Sequence, residues 1–63
     1  MNYFITVYDG DRISCMGGPY PSLEQAQQSM SMVMLRETEH AKMEQDDGKV
    51  VGWWSVDGKY SVQ

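Results

Sequence analysis

The sequence predicts an α+β domain of order ββαββ, an antiparallel sheet with one long helix packed on one face. Three observations predict it. Aromatic and β-branched runs near both ends of the chain are each interrupted by an Asp-Gly pair, the combination that turns a tight hairpin. Between them lies a stretch of helical period that opens on Ser-x-x-Gln. The chain has 63 residues, enough for one modest core and too few for two, so residues 1–63 are expected to form a single domain.

Residues 2–8 (NYFITVY) are aromatic and β-branched and read as the first strand. Asp9-Gly10 turns the chain into a second strand over 12–16 (RISCM). A plain two-residue turn sets Ile13 and Cys15 on the face of Phe4, Thr6 and Tyr8. A three-residue loop with a bulge sets them with Tyr3, Ile5 and Val7, the cleaner apolar face. Gly17-Gly18-Pro19-Tyr20-Pro21 is expected as a loop. Ser22 then caps a helix, with Gln25 completing a capping box and Glu24 complementing the helix dipole.

From Leu23 a stripe of Leu23, Ala26, Met30, Val33, Met34 and Ala41 follows helical spacing, leaving Met32 and Met43 off the buried side. The helix is expected to run to Gln45, about 34 Å at ~1.5 Å per residue, and to stop at Asp47-Gly48, where Gly48 takes the left-handed position. A third strand over 49–56, a turn at Asp57-Gly58 and a fourth strand over 59–63 complete the sheet. Strand alternation predicts Val51, Trp53, Tyr60 and Val62 in the core. Val50, Trp54 and Val56 then share the open face with Lys59, Ser61 and Gln63, the alternative being an inverted register that puts Trp54 in the core.

Composition narrows the function classes. A hydrophobic fraction of 41% and a charged fraction of 22% fit a globular domain rather than a disordered one. The net charge of −4 repels phosphate backbones, so no direct nucleic-acid partner is expected, and a basic partner suits it better. One cysteine allows no internal disulfide and no cysteine-based zinc site. The N-terminus shows no basic leader and the chain no long apolar run, so no membrane association is expected. The location expected is the cytoplasm, that of a host cell if the chain is phage-encoded, with the chain complete from Met1.

No catalytic or cofactor chemistry emerges from the residues. His40 and Cys15 lie on separate elements with no third group to orient them, so no enzyme is expected, and Cys15 reads as a small buried hydrophobe. Glu37, His40 and Glu44 share a predicted helix face, but two carboxylates and an imidazole make a weak metal site, and a solvated face is the simpler account. Asp9-Gly10-Asp11 lacks the later ligands of a calcium loop. Gly17-Gly18 is followed by prolines that remove the N–H donors a phosphate cradle needs. No metal and no cofactor are expected.

Gly18-Pro19-Tyr20-Pro21-Ser22-Leu23-Glu24-Gln25-Ala26 resembles the strand-to-helix junction of small sheet-plus-helix modules, such as the arm-binding domains of phage-type integrases and plant ethylene-response DNA-binding domains. There a glycine ends the strand, an aromatic packs under the helix, Ser or Thr caps it and Ala faces the sheet. Those families read DNA with basic residues on the sheet, and here the strands offer only Arg12, Lys49 and Lys59. The size, acidity and lack of catalytic residues also resemble the short anti-defence proteins of phages and mobile elements, anti-CRISPR proteins among them. That resemblance implies a protein presenting carboxylates where a nucleic acid would bind.

The expected function is therefore a non-enzymatic protein-binding inhibitor or regulator. It would cover a basic, nucleic-acid-binding surface of a larger protein or ribonucleoprotein. Glu37, Glu39, Glu44, Asp46 and Asp47, gathered at the helix end against its dipole, would steer association, and Trp54 would anchor it. Two alternatives stand beside it. One is a sheet-based DNA-binding or regulatory module using Arg12, Lys49, Lys59 and Trp54. The other is a homodimer, rather than a monomer, that buries the second face of the sheet.

Overall fold

The computed structural model describes residues 1–56 and the backbone of 60–62. The elements are β1 (Tyr3–Asp9), β2 (Arg12–Tyr20), α1 (Leu23–Ser31), β3 (Glu39–Gln45), β4 (Val50–Ser55) and β5 (Tyr60–Val62). The strands form one antiparallel sheet in the spatial order β2-β1-β3-β4-β5. The α+β class and the ββαββ succession are present, with one further strand, β3, between the helix and the last two strands. β2 and β3 both run antiparallel to β1 and hence parallel to each other, so β2-α1-β3 is a split β-α-β unit crossing over β1. The Asp57-Gly58 turn, Lys59, Gln63 and the side chains of 60–62 lie outside the described residues.

Both registers weighed for the first hairpin are partly realised. Asp9 pairs with Arg12 around a two-residue loop, Gly10-Asp11, and Tyr8 faces Ile13 as a plain turn requires. A bulge at Ser14 then shifts the phase and sets Cys15 opposite Val7 on the helix side. Residues 17–20, expected as loop, belong to β2. A second bulge accommodates Gly18-Pro19, and the edge position leaves a proline without a ladder bond to break. Gly18 has φ +119°, and a Cβ there would stand 2.8 Å from the Tyr3 carbonyl oxygen, so the strand can pass this point only with glycine.

The helix starts where expected. The Ser22 hydroxyl accepts from the Gln25 amide at 3.2 Å, and Ala26 and Met30 bury one turn apart. It ends far earlier than expected, at Ser31, which makes it about 13.5 Å long. Near that end the Ser31 hydroxyl donates to the Gln28 carbonyl at 2.7 Å, the local bonding by which serine competes with a continuing helix. Val33 and Met34, expected on the buried stripe, lie past the helix and are exposed.

Residues 39–45, expected as helix, form the middle strand of the sheet. Their helix-forming composition is overridden by two ladders, one to β1 and one to β4, which satisfy the backbone on both sides. Apolar Ala41 and Met43 alternate with polar His40, Lys42 and Glu44, the period of a half-buried strand. Met43, expected on a solvent side, is 0% exposed and is the largest fully buried side chain among the described residues. Gly48 does need a left-handed backbone, at φ +89°, but in the β3–β4 turn rather than at a helix end; there the Gln45 amide donates to the Lys49 carbonyl at 2.8 Å.

The buried core is Ile5, Val7, Ala26, Met30, Ala41 and Met43, ringed by Tyr3, Tyr20, Leu23, Leu35, Val51 and Trp54. Trp54 was expected on the open face and Trp53 in the core; the structure inverts them. A bulge at Val51 changes the phase of β4, so Met43 faces Gly52 and Ala41 faces Trp54 on the helix side, while Trp53 faces Lys42 on the other.

Three substitutions test this architecture. Ser22→Ala removes the cap acceptor and is expected to cost about 1 kcal/mol, a fall in melting temperature of roughly 4–8 °C for a domain of this size. Met43→Ala is expected to cost about 2–5 kcal/mol, most of the margin of so small a domain. Met34→Ala should stay within about 0.5 kcal/mol of the parent. Urea denaturation of the two methionine variants separates a strand at 39–45 from a helix, because a helix would leave Met43 dispensable.

Candidate functional site

β3 separates the carboxylates that the sequence groups together. Glu37 and Glu39 lie at one end of the strand and Asp46 and Asp47 beyond the other, roughly 23 Å away at ~3.3 Å per residue. Glu44 lies between, on the face away from the helix. Four of these five groups have local partners. Glu39 accepts from the Arg36 amide at 2.8 Å, Asp46 from the Asn2 amide at 3.3 Å and Asp47 from the Lys49 amide at 3.0 Å. Glu44 pairs with Lys42 at 3.5 Å. Asp46 and Asp47 thus shape a turn and tie it to the N-terminus.

The fold builds a different acidic pole. Asp9 stands opposite Glu39, and the Gly10 amide donates to the Thr38 carbonyl at 3.1 Å, which seats the first hairpin tip against the turn before β3. Asp9, Asp11, Glu37 and Glu39 therefore gather at one end of the sheet, with Arg12 and Arg36 among them.

Next to this pole in the chain is the apolar segment that follows α1. Met32 and Met34 are 83% and 93% exposed, and Val33 between them is partly so. The short helix packs over β1 and β2 and leaves the β4 side of its face to this segment. A cavity of about 250 Å³ opens there between Met30, Val33, Leu35, Trp54 and Val56. A second, of about 200 Å³, lies on the other side of Val33 against Cys15, Met16 and Tyr20. Trp54 is thus a half-buried wall of a cavity under the segment, not an anchor on the open face.

The open face carries a row of rings across three strands. Tyr8 stacks on His40 with centroids 5.2 Å apart, and His40 meets Trp53 at 5.7 Å. The Lys42 ammonium lies 5.4 Å from the Tyr8 ring centroid. Contact with Tyr8 first, and the Glu44 charge after it, hold the Lys42 pKa above its ordinary value despite partial burial, so the ammonium stays charged. His40 lies on this face, whereas Cys15 faces the helix side of edge strand β2. Cys15 is exposed rather than buried, because β2 outruns the nine-residue helix. As a strand, 39–45 also removes the helical spacing that would have gathered Glu37, His40 and Glu44. Among the described residues no group of histidine, cysteine and carboxylate side chains is placed to hold a metal ion, and no helix is long and apolar enough to cross a membrane.

Sequence reasoning missed the ring row and the weight of Met34. The alternation of His40, Lys42 and Glu44 with Ala41 and Met43 was the signal for the first. For the second, it was the apolar run Met32–Leu35 directly after a helix rich in serine. Comparison with family models, with curated proteins and with solved structures finds no match for this chain.

The two tryptophans provide the test of the face assignment. Trp54→Ala opens space against Ala41 and Met30 and is expected to cost about 2–3 kcal/mol, less than for a fully buried ring. Trp53→Ala loses mainly its contact with His40, about 1 kcal/mol. Urea midpoints in the reverse order would return Trp53 to the core.

Proposed function

We propose that this chain is a non-enzymatic protein-binding module, an inhibitor or regulator that docks on a larger partner through Met32, Val33 and Met34. The carboxylates of Asp9, Asp11, Glu37 and Glu39 form the rim of that surface. The exposure of Met32 and Met34 carries the proposal: a chain with so few buried residues leaves two of its large apolar side chains almost fully in water. Methionine supplies adaptable apolar contact, and the neighbouring cavities beside Trp54 and Tyr20 give a partner's side chains room to enter. Four carboxylates against Arg12 and Arg36 leave the rim net negative, which favours a partner whose apolar pocket is bordered by basic groups. A nucleic-acid-binding surface of a protein or ribonucleoprotein is such a partner. The cytoplasm is the setting we assign, since a free, exposed Cys15 thiol persists in a reducing compartment.

The test uses a partner captured from lysate, purified and measured directly. Met32→Ser with Met34→Ser should weaken binding at least about tenfold, the equivalent of ~1.4 kcal/mol, with an unchanged melting temperature. Asp11→Asn with Glu37→Gln, chosen because neither side chain holds a turn, should slow association several-fold at low salt, an effect that fades as salt rises. A methionine variant that binds like the parent excludes this surface.

A further inference from the structure

We infer that the open face of the sheet is a self-association surface, and that its occupant is a second copy of this chain packed face to face. This surface is distinct from the methionine segment on the helix side, so the two proposals stand or fall separately.

The first argument is the size of the core. Among the described residues six apolar side chains are buried, Met43 being the largest with no exposure, and a single cysteine cannot form an internal disulfide. Domains of this length gain stability from a covalent or metal staple or from oligomerisation, and a sheet with one face covered by a helix has its other face to pair. The second argument is composition. In a chain of net charge −4 the open face is balanced among the described residues: the carboxylates of Asp9, Asp11, Glu37, Asp46 and Asp47 lie at the strand ends, while the face holds the Lys42–Glu44 pair and the rings of Tyr8, His40 and Trp53. Two copies can approach there without opposing like charge.

The third argument is symmetry. β3 is the central strand, and Lys42 and Glu44 flank Met43 on it. A two-fold axis lying between the faces and crossing β3 at Met43 sets each Lys42 over the other copy's Glu44, so the patch is complementary to itself as an isologous contact demands. A nucleic acid is the poorer occupant, because among the described side chains of this face Lys42 is already matched by Glu44 and the rings spend their faces on one another. Four strands at ~4.8 Å spacing and ~20 Å length offer on the order of 400 Å² in plan. That is close to a tenth of the 4349 Å² total surface, the share typical of a small interface. The dimer should accordingly be weak, with a dissociation constant of roughly 10–100 µM.

Sedimentation velocity over a concentration series tests this with charge variants. The parent is expected to shift from monomer to dimer. Lys42→Glu makes the face purely negative and Glu44→Lys purely positive, and each alone should weaken the dimer at least about tenfold. An equimolar mixture of these two variants should associate again, although both have lost the pair within their own chain. The mixture therefore reports contact between copies rather than folding, and circular dichroism checks that each variant is folded. A parent that stays monomeric to millimolar concentration overturns the inference, as does a dimer indifferent to both variants, or a mixture that does not associate. Binding of a labelled oligothymidine to a monomeric parent overturns it as well and assigns the face to single-stranded nucleic acid.

Discussion

The structure depends on β3 being held between two ladders. β1 pairs along its whole length on one side and β4 on the other, so its backbone donors and acceptors are consumed within the sheet. That position delivers Ala41 and Met43 to the helix side with no exposure and sets the register of both neighbours. The tryptophans take their faces from it, since Ala41 pairs with Trp54 and Lys42 with Trp53. It also limits the helix. A chain that must return across β1 to a strand in the middle of the sheet has no residues left for a longer α1, which is why nine helical residues are followed by an exposed run. The exposed methionines and the ring row are consequences of one topological choice.

Where local chemistry decides a conformation, it could be read from the sequence. The Ser22 cap, the closeness of Ala26 to the sheet, the first hairpin and the need for a positive φ at Gly48 follow from one or two side chains each, with no reference to the rest of the chain. Residues 39–45 were different. Glu, Ala, Lys, Met and Gln favour helix in isolation, and Ala41 falls seven residues after Met34, so the segment fitted a helical stripe as well as a strand. Only the two ladders discriminate, and they come from residues far along the chain. The error then propagated: with 39–45 helical, Met43 became an outer residue, the carboxylates became a helix end, and β4 lost the neighbour that fixes its register. Bulges account for the remainder. Those at Ser14 and Val51 each reverse the inward–outward phase partway along a strand, so a strict period of two misassigns everything beyond them.

The acidic groups look different once β3 is in place. Against a helix C-terminus they would be destabilising and would need a functional reason to persist. At the ends of strands, Glu39, Asp46 and Asp47 accept backbone N–H bonds, and Glu44 balances Lys42, so each has a structural one. The pole that the proposed function draws on is the one the fold assembled from distant parts. There Asp9 and Glu39 face each other across strands, an arrangement of like charges that local stability alone does not favour.

The edges of the sheet explain why association should use its faces. An open antiparallel sheet invites another strand at each side, and the β2 side here resists it. β2 carries two bulges and Pro19, which break the regular row of donors a new strand would need. The carboxylates at the strand ends repel further copies that approach end to end. Among the described residues the Met32–Met34 segment is uncharged on one side of the sheet, and the Tyr8–His40–Trp53 row holds the balanced Lys42–Glu44 pair on the other. A domain this small cannot hide both. Its thin core and its exposed methionines therefore have one origin: apolar side chains that a larger protein would enclose lie at the surface of this one.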